Sequence, residues 1–459
     1  MKIYLHIEIL LRELDSRLLL AVLAAGRGHQ VVLGDTSSLE IAAKNGALHP
    51  GVLLTKSLTP SEKKLVRHKI FLNQSILITS IDEESGLAHY LDFDTFTKQR
   101  YSADSLEQAS AAFCWGYEDS TALKRAFPDA SDKVFITGSP RVDLWRPRFR
   151  DYWGEPLGLP PRPFLLVSAN FATGNGIERI HKIVERLIGQ GNFSRDAEEF
   201  RRYLGFAAEQ WRIIAAFVEA IRHLSESSPD FDIVLRPHPG EEVEAWNVFL
   251  HGLPNVHVIR EGGITSWGNH AFAVMHNGCT TAFEATIAGK PVIAYVPFAQ
   301  EYELEAPNNL SQRITSPDKL LSELTNLLEA GLDSEDAQKS NPQLPSQLET
   351  KIYIDDKELA AEKIIRVWES LEIENKEKKT KWFRFRLTLF QKTFRSVLKM
   401  MVRKLEIRES EYTYSGEKFP GFDLTEVQIK VDRLRYLLGI ERDIRVRQFS
   451  KKVLLVEGR

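Results

Sequence analysis

The sequence predicts an α/β chain made of two Rossmann-like domains with a helical C-terminal extension. Three observations lead there. The chain has 459 residues, more than one hydrophobic core ordinarily serves. Short apolar runs bounded by Gly and Pro alternate with stretches of helical apolar spacing, the pattern of parallel strands buried on both faces. A stretch rich in Pro, Gly and Arg, Trp145 to Arg162, interrupts that alternation and reads as a linker. The expected division is an N-terminal domain over 1–158, a second domain over 159–325 and an extension over 326–459.

Lys2–Ile9 reads as a strand. Arg12 to Ala25 carries Leu14, Leu18, Val22 and Ala25 at helical spacing, and Gln30–Gly34 is a second strand. This is a βαβ opening. Gly26 and Gly28 follow the helix rather than precede it, so they read as a helix stop and not a dinucleotide fingerprint. Arg12 and Arg17 are expected on a solvated helix face. Gly51–Thr55 and Ser75–Ile81 add strands, and Asp82, Glu83 and Glu84 follow at once. Three adjacent carboxylates at a strand's carboxyl end repel one another, which should raise at least one pKa. Such a group suits a general base or a nucleophile. Asp82, nearest the strand, is the most constrained in position, and Glu83 is next. An ordinary acidic surface loop would look the same. Asp92-Phe93-Asp94 matches a metal-holding Asp-x-Asp pattern that arises often by chance, and no metal is expected. Ala111–Gly116 is a short buried strand. Lys133–Asp143 is a strand running into a Gly-Ser-Pro turn, where Arg141 is expected to pair with Asp143.

The second domain opens with the strand Pro163–Ser168 and a small polar loop, Ser168 to Gly176, whose backbone N–H groups could form an anion nest. Trp211 to His223 is an amphipathic helix. The stretch that organises the chain is Phe231–Phe298. It reads as a strand to Leu235, the loop Arg236-Pro237-His238-Pro239-Gly240-Glu241, a strand Ala271–Met275, the loop Asn277-Gly278-Cys279-Thr280-Thr281, a helix to Ala288 and a strand Val292–Val296. Gly289 stands where a helix end wants positive φ. Ligands of open α/β sheets bind at the carboxyl ends of strands. N–H groups and two hydroxyls at a helix N-terminus suit a phosphate. Arg236 and His238, expected on the adjacent strand, would add charge and hydrogen bonds to the same anion. Each motif has a plainer reading, as an N-cap, a stiff turn or an ordinary strand-to-helix loop. Two such loops in one sheet favour an anion site.

The His-Pro loop and the Thr-Thr loop together resemble the nucleotide-sugar half of GT-B glycosyltransferases, above all those that bind CMP-activated acidic sugars such as Kdo or sialic acid. With the helix Leu11–Ala21 added, the chain resembles bacterial surface-carbohydrate biosynthesis proteins related to capsule and O-antigen β-Kdo transferases. The likeness covers roughly residues 1–310 well and the tail loosely. It implies a GT-B fold, with two Rossmann-like domains facing a cleft, a CMP-linked donor and a lipid-linked glycan acceptor. It implies donor contacts from Ser168, Asn170, Asn175, Arg236, Pro239, Asn277, Gly278, Thr280, Thr281 and Glu284, the last on a ribose hydroxyl. Catalytic roles fall to Asp82, Glu83 and His238, with no cofactor. The carboxylate either deprotonates the acceptor or attacks the anomeric carbon, and the stereochemical outcome stays open with it. Two alternatives stand beside this reading. One is a CDP-polyol phosphotransferase of teichoic-acid type. The other is a non-catalytic glycan-assembly protein, which predicts that no nucleotide binds.

A net charge of −3 argues against a general nucleic-acid binder. Two cysteines, Cys114 and Cys279, give no disulfide framework and fit a reducing cytoplasm. Met1 leads straight into a strand pattern rather than a signal peptide, and the apolar run Leu18–Ala25 is too short to span a bilayer. From Lys376 to Lys404 eleven Lys and Arg face a single acid, Glu377, with Phe390, Phe394, Val397, Leu398, Met401 and Leu405 at helical spacing. Segment 376–405 therefore reads as a basic amphipathic helix on an anionic inner-membrane surface, and the protein as cytoplasmic and peripherally attached. Phe422 to Leu438 is one more amphipathic helix.

Overall fold

The structure, a computed structural model, describes residues 1–87, 92–189, 193, 196–227, 230–332, 345–373 and 419–459. The chain forms two compact units. One comprises Met1–Leu144 with Ser346–Arg459, and the other Trp145–Pro345. Both are Rossmann-like α/β units, the pair of domains that the GT-B class carries.

In the first unit six parallel strands lie in the order β2-β1-β3-β4-β5-β6. They are β1 (Lys2–Ile7), β2 (Gln30–Asp35), β3 (Gly51–Thr55), β4 (Ile76–Ile81), β5 (Ala109–Cys114) and β6 (Val134–Ile136). The helix Leu10–Gly26 follows β1 and is buried along most of its length. Helices at Thr36–Lys44 and Glu62–Leu72 follow β2 and β3. All five residues of β3 are buried, which is why it reads in sequence as one unbroken apolar run.

The second unit holds β7 (Phe164–Ser168), β8 (Asp232–Arg236), β9 (Val256–Val258), β10 (Ala273–His276), β11 (Val292–Tyr295) and β12 (Gln312–Ile314). Their order is β12-β11-β10-β7-β8-β9, all parallel. Successive strand residues serve opposite faces. Leu165, Val167, Ile233, Leu235, Ala273 and Met275 pack with Phe217, Ile221 and Leu224 of the long helix Ala197–Ser227. Phe164, Leu166, Val234, Val274 and Val292 pack with Trp267 on the other side. The chain winds one way from β7 to β9 and the other way from β10 to β12. β7 thus lies between β8 and β10, which the sequence reading had expected to be neighbours. The crevice where winding reverses is where ligands of such sheets bind.

The chain then returns to the first unit. Helix Ala360–Ser370 is capped by Asp143, whose carboxylate accepts from Ala360 N (3.1 Å) and Ala361 N (3.0 Å). Its Trp368 is buried and donates to Thr79 Oγ1 at 3.0 Å. Helix Leu424–Leu437 falls within the helix expected over 422–438. A hairpin of β13 (Ile444–Ser450) and β14 (Val453–Gly458) follows, and β14 pairs antiparallel with β2. The C-terminal stretch is thus more than helical, and it extends the first sheet to eight strands. The basic segment 376–405 lies outside the described residues. Among the described residues no helix is long and apolar enough to cross a membrane.

Candidate functional site

The carboxyl edge of the second sheet is set by register. Ser168 stands opposite Arg236 on one side and His276 on the other, so the ends of β8, β7 and β10 form one row. The loops that leave this row are the three that the sequence singled out.

The loops after β7 and β10 are bonded to each other. Ser168 Oγ donates to Thr281 Oγ1 at 3.1 Å and lies 3.3 Å from Cys279 Sγ. Asn170 Nδ2 donates to the Gly278 carbonyl at 3.0 Å. Gly278 takes φ +64°, and a Cβ there would come 2.8 Å from Leu304 Cβ, so only glycine fits without strain. Its N–H donates to Asn308 Oδ1 at 2.8 Å, and Asn277 Nδ2 donates to the Tyr295 carbonyl at 2.8 Å. His276 braces this loop from below. Its Nδ1 accepts from Cys279 N (3.3 Å), so the neutral ring carries its proton on Nε2 and donates to Ser311 Oγ (2.8 Å). Complete burial pushes its pKa down to about 3, which keeps the ring neutral.

The loops after β7 and β8 are bonded through a residue to which the sequence reading gave no role, Glu241. It is fully buried. Its carboxylate accepts from Phe171 N (2.9 Å), His238 N (3.0 Å) and Trp246 Nε1 (2.7 Å). Burial raises its pKa, while these donors work in the opposite direction. Asn175 Nδ2 donates to the Glu242 carbonyl at 3.1 Å, closing the same junction. The available signal was a carboxylate three residues after His238 at the end of a strand.

His238 sits at the exposed tip. Its Nδ1 accepts from Gly240 N at 3.1 Å, so the neutral ring presents Nε2–H. Desolvation, and secondly the charge of Arg260, lower its pKa. Arg260 donates to the Pro239 carbonyl and is a second cation that the sequence reading passed over. Arg236 is bonded to the loop after β9. Its guanidinium donates to the carbonyls of Glu261 and Gly262 (2.6 Å to the latter) and stacks 5.5 Å from the Trp267 ring. Burial, with no carboxylate bonded to it, brings its pKa down to about 10. Glu284 accepts from Thr265 Oγ1 at 2.9 Å.

The structure therefore brings Ser168, Asn170, Asn277, Gly278, Thr280 and Thr281 together, and ties Asn175, His238 and Pro239 into the neighbouring loop. The Thr pair does not act as a simple cap. Thr280 holds the N-cap position without a side-chain cap bond, and the Thr281 hydroxyl is engaged with Ser168. The helix Thr281–Ile287 has only seven residues, so the loop's own donors weigh more than a helix dipole.

Asp82 and Glu83 belong to the first unit. Both are buried, and neither is a loose member of a repelling trio. Arg100 holds Asp82 bidentately at 2.7 and 3.0 Å, Arg17 meets Glu83 at 2.7 Å, and Arg12 meets Glu84 at 3.3 Å. Asp82 does have a raised pKa, but the chief cause is burial; repulsion from Glu84 is minor. Arg17 is completely buried, which corrects its expected place on a solvated face. Arg141 donates to the Glu83 carbonyl at 3.0 Å. Asp92 caps the helix Phe93–Arg100 through Thr95 N, and Asp94 pairs with Arg125.

No protein-family model and no curated protein sequence matches the chain. Several solved structures resemble it at low identity. UDP-GlcNAc 2-epimerase from Neisseria meningitidis, bound to UDP-GlcNAc, is 14% identical over 80% of this chain and 99% of its own, with a TM-score of 0.47. UDP-GlcNAc 2-epimerase from Methanocaldococcus jannaschii is 14% identical over the same shares, with a TM-score of 0.46. Anabaena Alr3699/HepE, in complex with UDP and glucose, is 11% identical over 81% of this chain and 100% of its own, with a TM-score of 0.40.

Proposed function

We propose that the chain is a glycosyltransferase that takes an acidic, Kdo-like sugar from a CMP-linked donor and passes it to a lipid-linked surface glycan. The observation that carries this reading is the row formed by the ends of β8, β7 and β10, from which the His238, Ser168–Asn175 and Asn277–Thr281 loops rise hydrogen-bonded to one another. That edge is lined with hydroxyls, amides and neutral histidine. It offers donors to an incoming anion, and its buried carboxylate, Glu241, is already met by three N–H groups.

In this reading the donor phosphate lies against the Ser168 and Thr280–Thr281 loops. The Nε2–H of His238 donates to the phosphate oxygen that leaves, and Arg260 adds charge from behind. Glu284 takes a ribose hydroxyl. Arg236 contributes by holding the 261–262 loop in place. The bond between the anomeric carbon and the phosphate oxygen breaks, and CMP departs with the electron pair. A bond to the acceptor hydroxyl forms. A carboxylate of the Asp82–Glu84 loop takes the acceptor's proton in a single displacement, or first bonds to the anomeric carbon and is then displaced by the acceptor oxygen, whose proton passes to a second carboxylate of that loop. The basic segment 376–405 would hold the protein at an anionic membrane where the acceptor resides.

Calorimetric titration of the full chain with CMP, CDP, UDP and GDP tests this. Saturable binding of CMP, with UDP and GDP inert, is the expected result. CDP binding without CMP binding would favour polyol-phosphate transfer, and no binding by any nucleotide would remove the transferase reading. His238→Ala should abolish transfer while changing the melting temperature little; retained transfer removes His238 from the mechanism.

A further inference from the structure

We propose that the loop after β3 and the first turn of the helix behind it form a separate anion site in the first unit, centred on Lys64, Ser57 and Thr59, for a phosphate or carboxylate group. The site stands on its own geometry. Under the transferase reading, and resting on it, the ligand is an acidic group of the acceptor glycan.

β3 ends at Thr55, and the helix Glu62–Leu72 begins behind Ser61, whose Oγ caps it by accepting from Lys64 N. The connecting loop therefore leaves the carboxyl edge of a parallel sheet, where ligands gather. Lys64 Nζ donates to Ser57 Oγ at 2.8 Å and to the Ser57 carbonyl at 3.2 Å. Thr59 Oγ1 lies 3.0 Å from Ser57 Oγ, and Ser57 is buried.

A count of donors shows what is missing. The ammonium has three N–H bonds, and two of them meet Ser57. Ser57 and Thr59 share one hydrogen bond, so whichever hydroxyl donates, the other hydroxyl proton has no acceptor among the described residues. One N–H and one O–H, a few bonds apart, are left over.

The charge is unbalanced in the same direction. Three other cations crowd Lys64, and each has its own carboxylate. Lys56 meets Glu8 at 2.8 Å, Arg67 meets Glu40 at 3.0 Å and Arg100 meets Asp82 at 2.7 Å. Among the described residues Lys64 has no carboxylate within ion-pair distance. Burial, then Arg100, bring its pKa down to about 8, with Asp82 opposing. A cation whose only bonded partners are neutral oxygens, set among other cations, is costly unless an anion joins it. If Lys64 served only to brace Ser57, an uncharged donor would do so without that cost. One ammonium with hydroxyls recognises a compact oxyanion as a point charge; it lacks the fork that a free arginine would offer.

Competitive acetylation tests the proposal on the full chain. The protein is exposed briefly to acetic anhydride at about pH 8, where a lysine of this kind is half deprotonated, and modification is read by mass spectrometry. Inorganic phosphate and glucuronate are the probes, and Lys319, exposed in the second unit, is the internal reference. Probe at about ten times its Kd should slow acetylation of Lys64 by about tenfold, as its occupancy requires, and leave Lys319 unchanged. Protection by phosphate alone identifies a phosphate-bearing ligand, and protection by glucuronate alone a sugar carboxylate. Protection by neither overturns the proposal. Lys64→Met should lose the calorimetric phosphate signal assigned to this site, and Lys64→Arg should keep it; an unchanged signal in Lys64→Met also overturns it. CMP binding measured in the same variants is expected to stay as in the unmodified chain. A protein that protects Lys64 yet binds no nucleotide would refute the transferase reading and leave this site standing.

Discussion

At the carboxyl edge of the first sheet, Arg12, Arg17 and Arg100 each meet a carboxylate. At the same edge of the second sheet, Ser168, Asn170, Asn277 and Thr281 meet neutral partners, and the one fully buried carboxylate there, Glu241, is met by N–H groups. Both sheets reverse their winding at the first strand, though their strand orders differ, and the contrast lies in the side chains at their carboxyl edges. Paired charges hold the first edge in shape but leave little field for a newcomer, with Lys64 as the exception. Neutral dipoles hold the second edge in shape and keep their field for whatever charge arrives. Under the proposed function, a polyanion docks at the second edge without breaking an ion pair.

The strongest attack on this contrast is Arg17→Met. It strands Glu83 in the interior without its cation, and should cost about 3–5 kcal/mol in urea unfolding. A loss below about 1 kcal/mol would mean that the pair behaves like a surface one. Next comes Glu241→Ala. Three buried N–H donors lose their acceptor, so stability should drop by about 3 kcal/mol and CMP binding should vanish with the junction of the two loops. Glu241→Gln keeps the shape and should recover part of both.

Acid gives a smaller and reversible test. The folded pKa of His276 lies near 3, below the value of about 6.5 for a free histidine. The unfolded chain therefore binds more protons once pH falls below that value. Stability supplied by the neutral ring is complete above pH 6.5 and declines as pH drops toward the folded value. Between pH 7 and pH 5 this one residue should remove about 2 kcal/mol. His6 and His68, also buried with lowered pKa values, act in the same direction. His276→Gln should be less stable at pH 7 but show a shallower fall; a parallel fall would take His276 out of the account. The smallest effect belongs to Thr281→Val, about 1 kcal/mol for the lost bond to Ser168, with weakened CMP binding as the more telling readout.

Much of the architecture could be read before any coordinates. Strands buried on both faces advertise themselves as apolar runs, and Gly51–Thr55 was found to the residue. Gly289, expected at positive φ, has φ +73°. Lateral order was hidden, because β7 is separated from β10 by about a hundred residues of sequence yet lies beside it. The hairpin of β13 and β14 was missed for a different reason. β13 is an edge strand, and its Arg445 and Arg447 interrupt the apolar signal while serving to discourage stray pairing. At the candidate site, residue types pointed to three loops that leave one sheet edge, but not to what each side chain touches. Arg236 looked like an anion ligand and is committed to two carbonyls. Arg17 looked solvated and is completely buried, because a helical apolar stripe does not reveal a cation whose partner lies on another strand.

The path of the chain has a further consequence during synthesis. Trp145–Pro345 is contiguous, so that unit has all its residues once Pro345 leaves the ribosome. The other unit must wait, because β14, which covers the edge of β2, is made after the whole of Trp145–Pro345. For that interval a nascent chain displays the bare hydrogen-bonding groups of β2. Ribosome-bound chains stalled before residue 453 should therefore be the ones that chaperones engage and proteases cut within the first 144 residues.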